Sequence, residues 1–100
     1  MRRVRLPFDI NGAALSATEL ELALNEAQRQ AATKELEEAR LHYREEAPRY
    51  LAGDEVAEAI QRLRRAEDNL ENLETEHQEL IARRVKLMRE SRRWAVGGNA

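Results

Sequence analysis

Apolar residues recur every seven positions through the second half of the chain. The repeat has two interleaved sets, which are Val56, Leu63 and Leu70, and Ala59, Ala66, Leu73, Leu80, Leu87 and Trp94. The sets are offset by three and four residues, which is the spacing of a coiled-coil seam on one side of a helix. A helix of about 40 residues is roughly 60 Å long and cannot bury such a seam by itself. The sequence therefore predicts long helices that associate along this seam.

The composition agrees with long helices. Aromatic residues make up 4% of the 100 residues and charged residues 36%, so few bulky side chains are available for a globular core. The chain has no cysteine, which excludes disulfide and thiol chemistry. It also has neither an apolar run of about 18 residues nor an apolar signal segment near its start. We therefore expect one cytoplasmic domain over residues 1–100 without a membrane span.

The first residues of the chain differ from the rest. Apolar and polar residues alternate up to Ile10, and Asn11-Gly12 is a turn signal, so residues 1–12 are predicted to form an extended arm. Ser16 and Glu19 have the spacing of a capping box, which predicts that helix one begins near Ser16 and runs to about residue 51.

Helix one has an apolar face that predicts its contact with helix two. The face consists of Leu20, Leu24, Ala27, Ala31, Leu36, Ala39, Tyr43, Ala47 and Tyr50. Its spacing alternates between three and four residues, apart from one extra residue between Ala31 and Leu36. Pro48 is expected to end or kink the helix.

A tight turn is predicted between the two helices. Gly53 suits a left-handed cap at the end of helix one, and Asp54 suits the N-cap of helix two. Helix two is expected to run from about residue 54 to about residue 95, followed by a flexible tail over 96–100.

A short connection makes the two helices antiparallel. This alignment is expected to place Leu24 opposite Leu80 and Ala39 near Ala66. It also brings the ends of the chain together, where Phe8 and Ile10 of the arm are expected to dock on Trp94.

The predicted hairpin leaves apolar residues outside its seam. On helix two they are Ile60, Ile81, Val85 and Met88. Burial at roughly 25 cal/mol per Å² in one seam hardly offsets an ordering entropy of about 1–2 kcal/mol per residue. The prediction is therefore an all-α, coiled-coil-like antiparallel helical hairpin that forms a homodimer as a four-helix bundle through these residues. The alternative is a monomeric hairpin completed by a different protein.

Basic residues are concentrated at the two ends of the chain, although the net charge is −2. The hairpin would thus have a basic open end and an acidic body. One interpretation is a binding site for a nucleotide or nucleic acid, with an aromatic ring available for stacking. The other is a solvated helix end, where the helix dipole favours arginine. The candidate residues are Arg83, Arg84, Lys86, Arg89, Arg92, Arg93 and Trp94.

Glu74 and His77 have the Glu-x-x-His spacing of di-iron bundles. The only other histidine, His42, would lie roughly 22 Å away along the hairpin, so the two cannot share one metal within a chain. We interpret His77 as a polar interruption of the seam, and we expect the next seam residue in its set, Arg84, to extend toward an acid of helix one. No metal, cofactor or catalytic residue is predicted, so the protein is not expected to be an enzyme.

The length and the hairpin resemble the small secreted WXG-type helical hairpins, whose signature is Trp-x-Gly in the turn. The turn here reads Tyr50-Leu-Ala-Gly53, so the chain lacks that signature. In general style it is similar to small helical proteins of phages and mobile elements that bind and block a host machine. This similarity implies a non-enzymatic interaction protein, an adaptor or an inhibitor, with a second protein as its partner.

Overall fold

The computed structural model describes residues 10–48 and 53–99, with side chains up to Arg92. These residues form two helices, α1 (Ile10–Glu46) and α2 (Asp54–Asn99). The molecule measures 74 × 20 × 15 Å, and its radius of gyration is 22.2 Å. A compact domain of this length has a radius of gyration of about 13 Å, so the protein is a rod. The predicted all-helical hairpin is confirmed.

Helix α2 faces α1 with the heptad positions that the sequence predicted. Ala59, Ala66 and Leu80 are buried, while Leu63 and Leu70 pack against a core cluster that contains Ala66. The small alanine side chains let the two helix backbones approach closely, because the distance between packed helices depends on the side chains at the contact.

The first half of α1 faces α2 with other residues than predicted. Thr18, Asn25, Ala32 and Ala39 are seven residues apart and all buried. Leu24 is 60% exposed, so the prediction that it lies opposite Leu80 is wrong. The other predicted contacts of this half, Leu20, Ala27 and Ala31, are exposed as well.

The continuity of the helix explains this correction. The core of the hairpin lies around Leu36, Ala39 and Ala66, which fixes the face that α1 turns toward α2. Ala32 lies four residues before Leu36, and Asn25 and Thr18 follow at intervals of seven residues, so all three share the face of Leu36. The extra residue between Ala31 and Leu36 turns the stripe of Leu24 about 100° away from the seam, and Leu24 could enter the seam only if a bulge absorbed that residue.

Helix α1 begins at Ile10, which corrects the predicted arm and cap. Residues 10–12 are helical rather than extended, and Ser16 lies inside the helix instead of at its N-cap. A helix satisfies its own backbone hydrogen bonds, whereas a single extended arm needs a strand to pair with. The rest of the predicted arm, including Phe8, lies outside the described residues, as does the side chain of Trp94 on which it was expected to dock.

The turn region also differs from its prediction. Helix α1 ends at Glu46, ahead of Pro48, so Gly53 is too far along the chain to cap it. The Gly53 carbonyl instead accepts a hydrogen bond from the Ala57 N–H at 3.2 Å. Gly53 is thus the N-cap of α2, and Asp54 is the first residue inside the helix. Residues 49–52, including Tyr50, lie outside the described part of the chain.

Helix α2 is longer than predicted. It continues through Gly97 and Gly98 to Asn99, so residues 96–99 are helical rather than a flexible tail. Neither helix contains, within the described residues, an apolar segment long enough to cross a membrane.

Candidate protein interaction surface

A second apolar stripe runs along α1 on the side turned away from α2. Its members are three or four residues apart along the helix and are all exposed, and we call them the outer face. They are Ile10, Ala13, Ala17, Leu20, Leu24, Ala27 and Ala31. Ile10 is 66% exposed, Leu20 73% and Leu24 60%. The outer face lies roughly 130° around the helix from the stripe of Thr18 and Asn25, on the side of α1 turned away from α2.

The outer face carries no charge over residues 10–31. The charged residues of this segment are Glu19, Glu21, Glu26 and Arg29. Glu21 pairs with Arg83 of α2 at 2.7 Å, and Glu19 lies 3.7 Å from Arg84. A surface helix normally places its charged residues opposite its buried stripe. In a chain with 36% charged residues, this apolar outer face is the feature that most needs a partner.

The inner side of the same segment is polar. Asn25 is fully buried, and its amide nitrogen donates to the carbonyl of Leu73 at 3.0 Å and to the carboxylate of Glu76 at 2.8 Å. The Nε of Arg29 donates to its amide oxygen at 2.7 Å. Thr18 is also buried and donates to the carbonyl of Ala14 at 2.9 Å. The first half of α1 therefore buries two polar side chains beside the half-buried Leu15 and Leu22, while it leaves the apolar outer face exposed.

An ion pair joins α1 and α2 in the half of the hairpin nearer the turn. The guanidinium of Arg62 donates two hydrogen bonds to the carboxylate of Glu35, at 2.8 and 3.0 Å. The bidentate contact lowers the pKa of Glu35 below its usual value and raises the pKa of Arg62. Glu38 lies 3.9 Å from the same guanidinium.

Of the basic residues predicted to form a site at the open end, some pair with acids of α1 and others are exposed. Arg83 and Arg84 are engaged with acids of α1, as expected for Arg84. Lys86, Arg89 and Arg92 are exposed along α2. They do not form ion pairs with other described residues. The side chains of the remaining two candidates, Arg93 and Trp94, lie outside the described part of the chain.

The four residues predicted at a dimer interface are spread along α2. Val85 is 39% exposed and Met88 43%, and Ile81 beside them is half-buried. Ile60 is half-buried too, but it lies about 31 Å along the helix from Ile81. These residues therefore form a small patch at the open end and one separate position near the turn.

The two histidines lie in different parts of the hairpin. His42 is near the turn, where its Nδ1 is 3.4 Å from a guanidinium nitrogen of Arg62. The Nδ1 of His77 is buried and has no hydrogen-bond partner among the described atoms. Within residues 10–48 and 53–92, no group of three or more His, Asp or Glu side chains is placed to hold a metal ion.

The chain matches no known family model, no curated protein and no solved structure. The function is therefore inferred from the surface of this hairpin itself.

Two signals in the sequence indicate the outer face, which the sequence-based prediction missed. The extra residue between Ala31 and Leu36 marks the place where one apolar stripe ends and another begins. The second signal is an uncharged series of positions, spaced alternately by three and four residues, that runs from Ile10 to Ala31. The next position of this series is Lys34, where the series ends. Together these signals describe two stripes on different faces of the helix rather than one interrupted stripe.

Proposed function

We propose that this protein is a non-enzymatic protein–protein interaction module, and that the outer face of α1 is its docking surface. The observation that supports the proposal is the exposed, uncharged apolar stripe from Ile10 to Ala31. Large apolar side chains in a contiguous exposed row mark association sites on soluble proteins. A stripe with three- and four-residue spacing fits one further helix, packed as in a coiled coil.

The partner helix would come from a second protein that the module binds as an adaptor or inhibitor, from a second copy of the chain, or from both in turn. Homodimerisation into an assembly of four helices is part of this proposal. It would cover Leu20 and Leu24, which a monomeric hairpin leaves in water. The small patch of Ile81, Val85 and Met88 would remain on the outside of such an assembly as a further contact surface.

Affinity capture from a lysate of the native host tests the docking surface. The bait is the wild-type chain, and the test variant is L20E/L24E, which places two carboxylates on the outer face. Q61E is the matched control, because Gln61 is exposed on α2 and far from that face. We expect the wild-type chain and Q61E to retain the same protein, and L20E/L24E to lose it. Equal capture by all three chains would show that the outer face is not the docking surface.

A further inference from the structure

We infer that the outer face binds a second copy of this chain, with the two α1 helices antiparallel about a twofold axis that lies between Ala17 and Leu20. This inference rests on the proposed function, because it assigns a partner to the same surface. Two observations support it: the order of large and small side chains, and the absence of charge on the face.

The order of side chains on the outer face is complementary to itself. Antiparallel alignment about this axis places Ala17 opposite Leu20 of the other copy, Leu24 opposite Ala13, and Ile10 opposite Ala27. Each large side chain then meets an alanine, so the layers have similar volume and the helices can approach closely along the whole contact.

A parallel alignment would pack the outer face less well. Each residue would then meet its own counterpart, Leu20 against Leu20 and Ala17 against Ala17. Two adjacent layers of paired leucines would then lie between double layers of paired alanines, and the alanine layers would leave gaps where the facing atoms lose dispersion contacts.

The charges around the outer face also favour an identical partner. In a twofold dimer each residue of the face meets a different residue of the other copy, so a single charge on the face would be buried against an apolar side chain. The outer face has none, and the nearby acids Glu19 and Glu21 are already paired with Arg84 and Arg83 within their own hairpin. A strongly basic or strongly acidic partner would find no opposite charge on the face to pair with.

The position of the outer face determines the shape of the dimer. Because the face lies on the side of α1 away from the seam with α2, the two α1 helices would be central and the two α2 helices peripheral. The four helices would then form an open layer along the shared segment rather than a bundle around one common core. The two ends of α1 at Glu46 would point in opposite directions, about 82 Å apart for a rise of 1.5 Å per residue.

Single-cysteine cross-linking tests this arrangement, because the chain has no cysteine of its own. A17C and A31C change exposed alanines of the outer face, and Q61C is the control on α2. Circular dichroism checks that each variant keeps its helix content. A short bismaleimide linker then reports which pairs of identical positions are close.

We expect light scattering to give the wild-type chain a mass near twice 11.6 kDa at high micromolar concentration. A17C should cross-link with itself, since residue 17 lies close to the axis. A31C and Q61C should not, because the two copies of residue 31 would be about 37 Å apart along the helices.

Three outcomes would overturn the inference. Cross-linking of A31C as efficiently as A17C would indicate parallel helices, and cross-linking of Q61C alone would place the contact on α2. A purified chain that stays monomeric, with no cross-link at any position, would exclude a second copy as the occupant. That result would not alter the capture experiment, so failure of this inference is distinguishable from failure of the proposed function.

Discussion

The side-chain amide of Asn25 in α1 donates a hydrogen bond to the backbone carbonyl of Leu73 in α2, at 3.0 Å and out of contact with water. The same amide nitrogen donates to Glu76 at 2.8 Å. A buried amide needs its partners, and in this alignment of the two helices Leu73 and Glu76 supply them. Asn25 therefore specifies the register of the hairpin in the half where large apolar seam residues are few, at a cost in stability.

Replacing Asn25 tests this role. N25A should lower the free energy of unfolding by about 1–2 kcal/mol, because it removes the bonds to Leu73 and Glu76 and takes away the acceptor of the Arg29 Nε–H. Urea unfolding followed by circular dichroism measures the change. Q28A, at an exposed position three residues away, is the control and should change stability by less than about 0.5 kcal/mol. Similar losses for both variants would argue against a register role.

Two leucines distinguish the seam from the outer face. Leu80 is 3% exposed and Leu24 is 60% exposed. L80A should cost about 2–5 kcal/mol of unfolding free energy, since it removes buried methyl groups and leaves a cavity. L24A should cost less than about 0.5 kcal/mol when measured at a protein concentration low enough to keep the chain monomeric. A comparable cost for L24A under those conditions would indicate that Leu24 is buried in the seam.

Enlarging an alanine should have opposite consequences on the two sides of α1. Ala39 has no exposed surface, whereas Ala31 is exposed on the outer face. A39L should destabilise the hairpin by about 1–3 kcal/mol, because the closely packed helices have no room for the larger side chain. A31L should leave the melting temperature of the monomer nearly unchanged. Thermal unfolding of the two variants checks this, and a stable A39L protein would contradict the close approach of the helices.

The ion pair between Glu35 and Arg62 should make stability fall in acid. The pKa of Glu35 is lower in the folded hairpin than in the unfolded chain, where it is near 4.5. The folded state therefore binds fewer protons, and this contribution is present above the unfolded pKa and lost as the pH falls through the folded one. Both side chains are partly exposed, so the effect is small.

The matched variant for this effect is E35Q, which keeps the shape of the side chain and removes its charge. The difference in urea midpoint between wild type and E35Q should be smaller at about pH 3 than at about pH 7, because the carboxylate becomes protonated in acid. A constant difference between the two proteins across this range would show that the charge of Glu35 does not contribute.

The sequence alone predicted the part of the fold that depends on one unbroken pattern. From Asp54 onward α2 keeps a single heptad register without proline, and without glycine before Gly97. Its inner positions, such as Ala59, Ala66 and Leu80, could therefore be named in advance, and so could the antiparallel hairpin. The helix ends were less predictable. Ser16 has the sequence context of an N-cap but lies inside α1, and Gly53, predicted to cap the end of α1, is the N-cap of α2.

The candidate site could not be predicted in the same way. The first half of α1 carries two stripes with helical spacing, and the stripe of Leu20 and Leu24 is the more apolar one. Local hydrophobicity therefore favoured the wrong face. The face of α1 that meets α2 is set further along the chain. There Leu36 and Ala39 pack against α2, and this packing fixes the rotation of the whole unbroken helix.

The pair of long helices and the continuous seam on α2 thus follow from the amino-acid pattern. The side of α1 that meets this seam follows only from the packing of the whole hairpin, because a continuous helix rotates as one body. Once its second half is packed, Asn25 is carried into the interior and Leu24 into solvent, whatever their individual preferences for water.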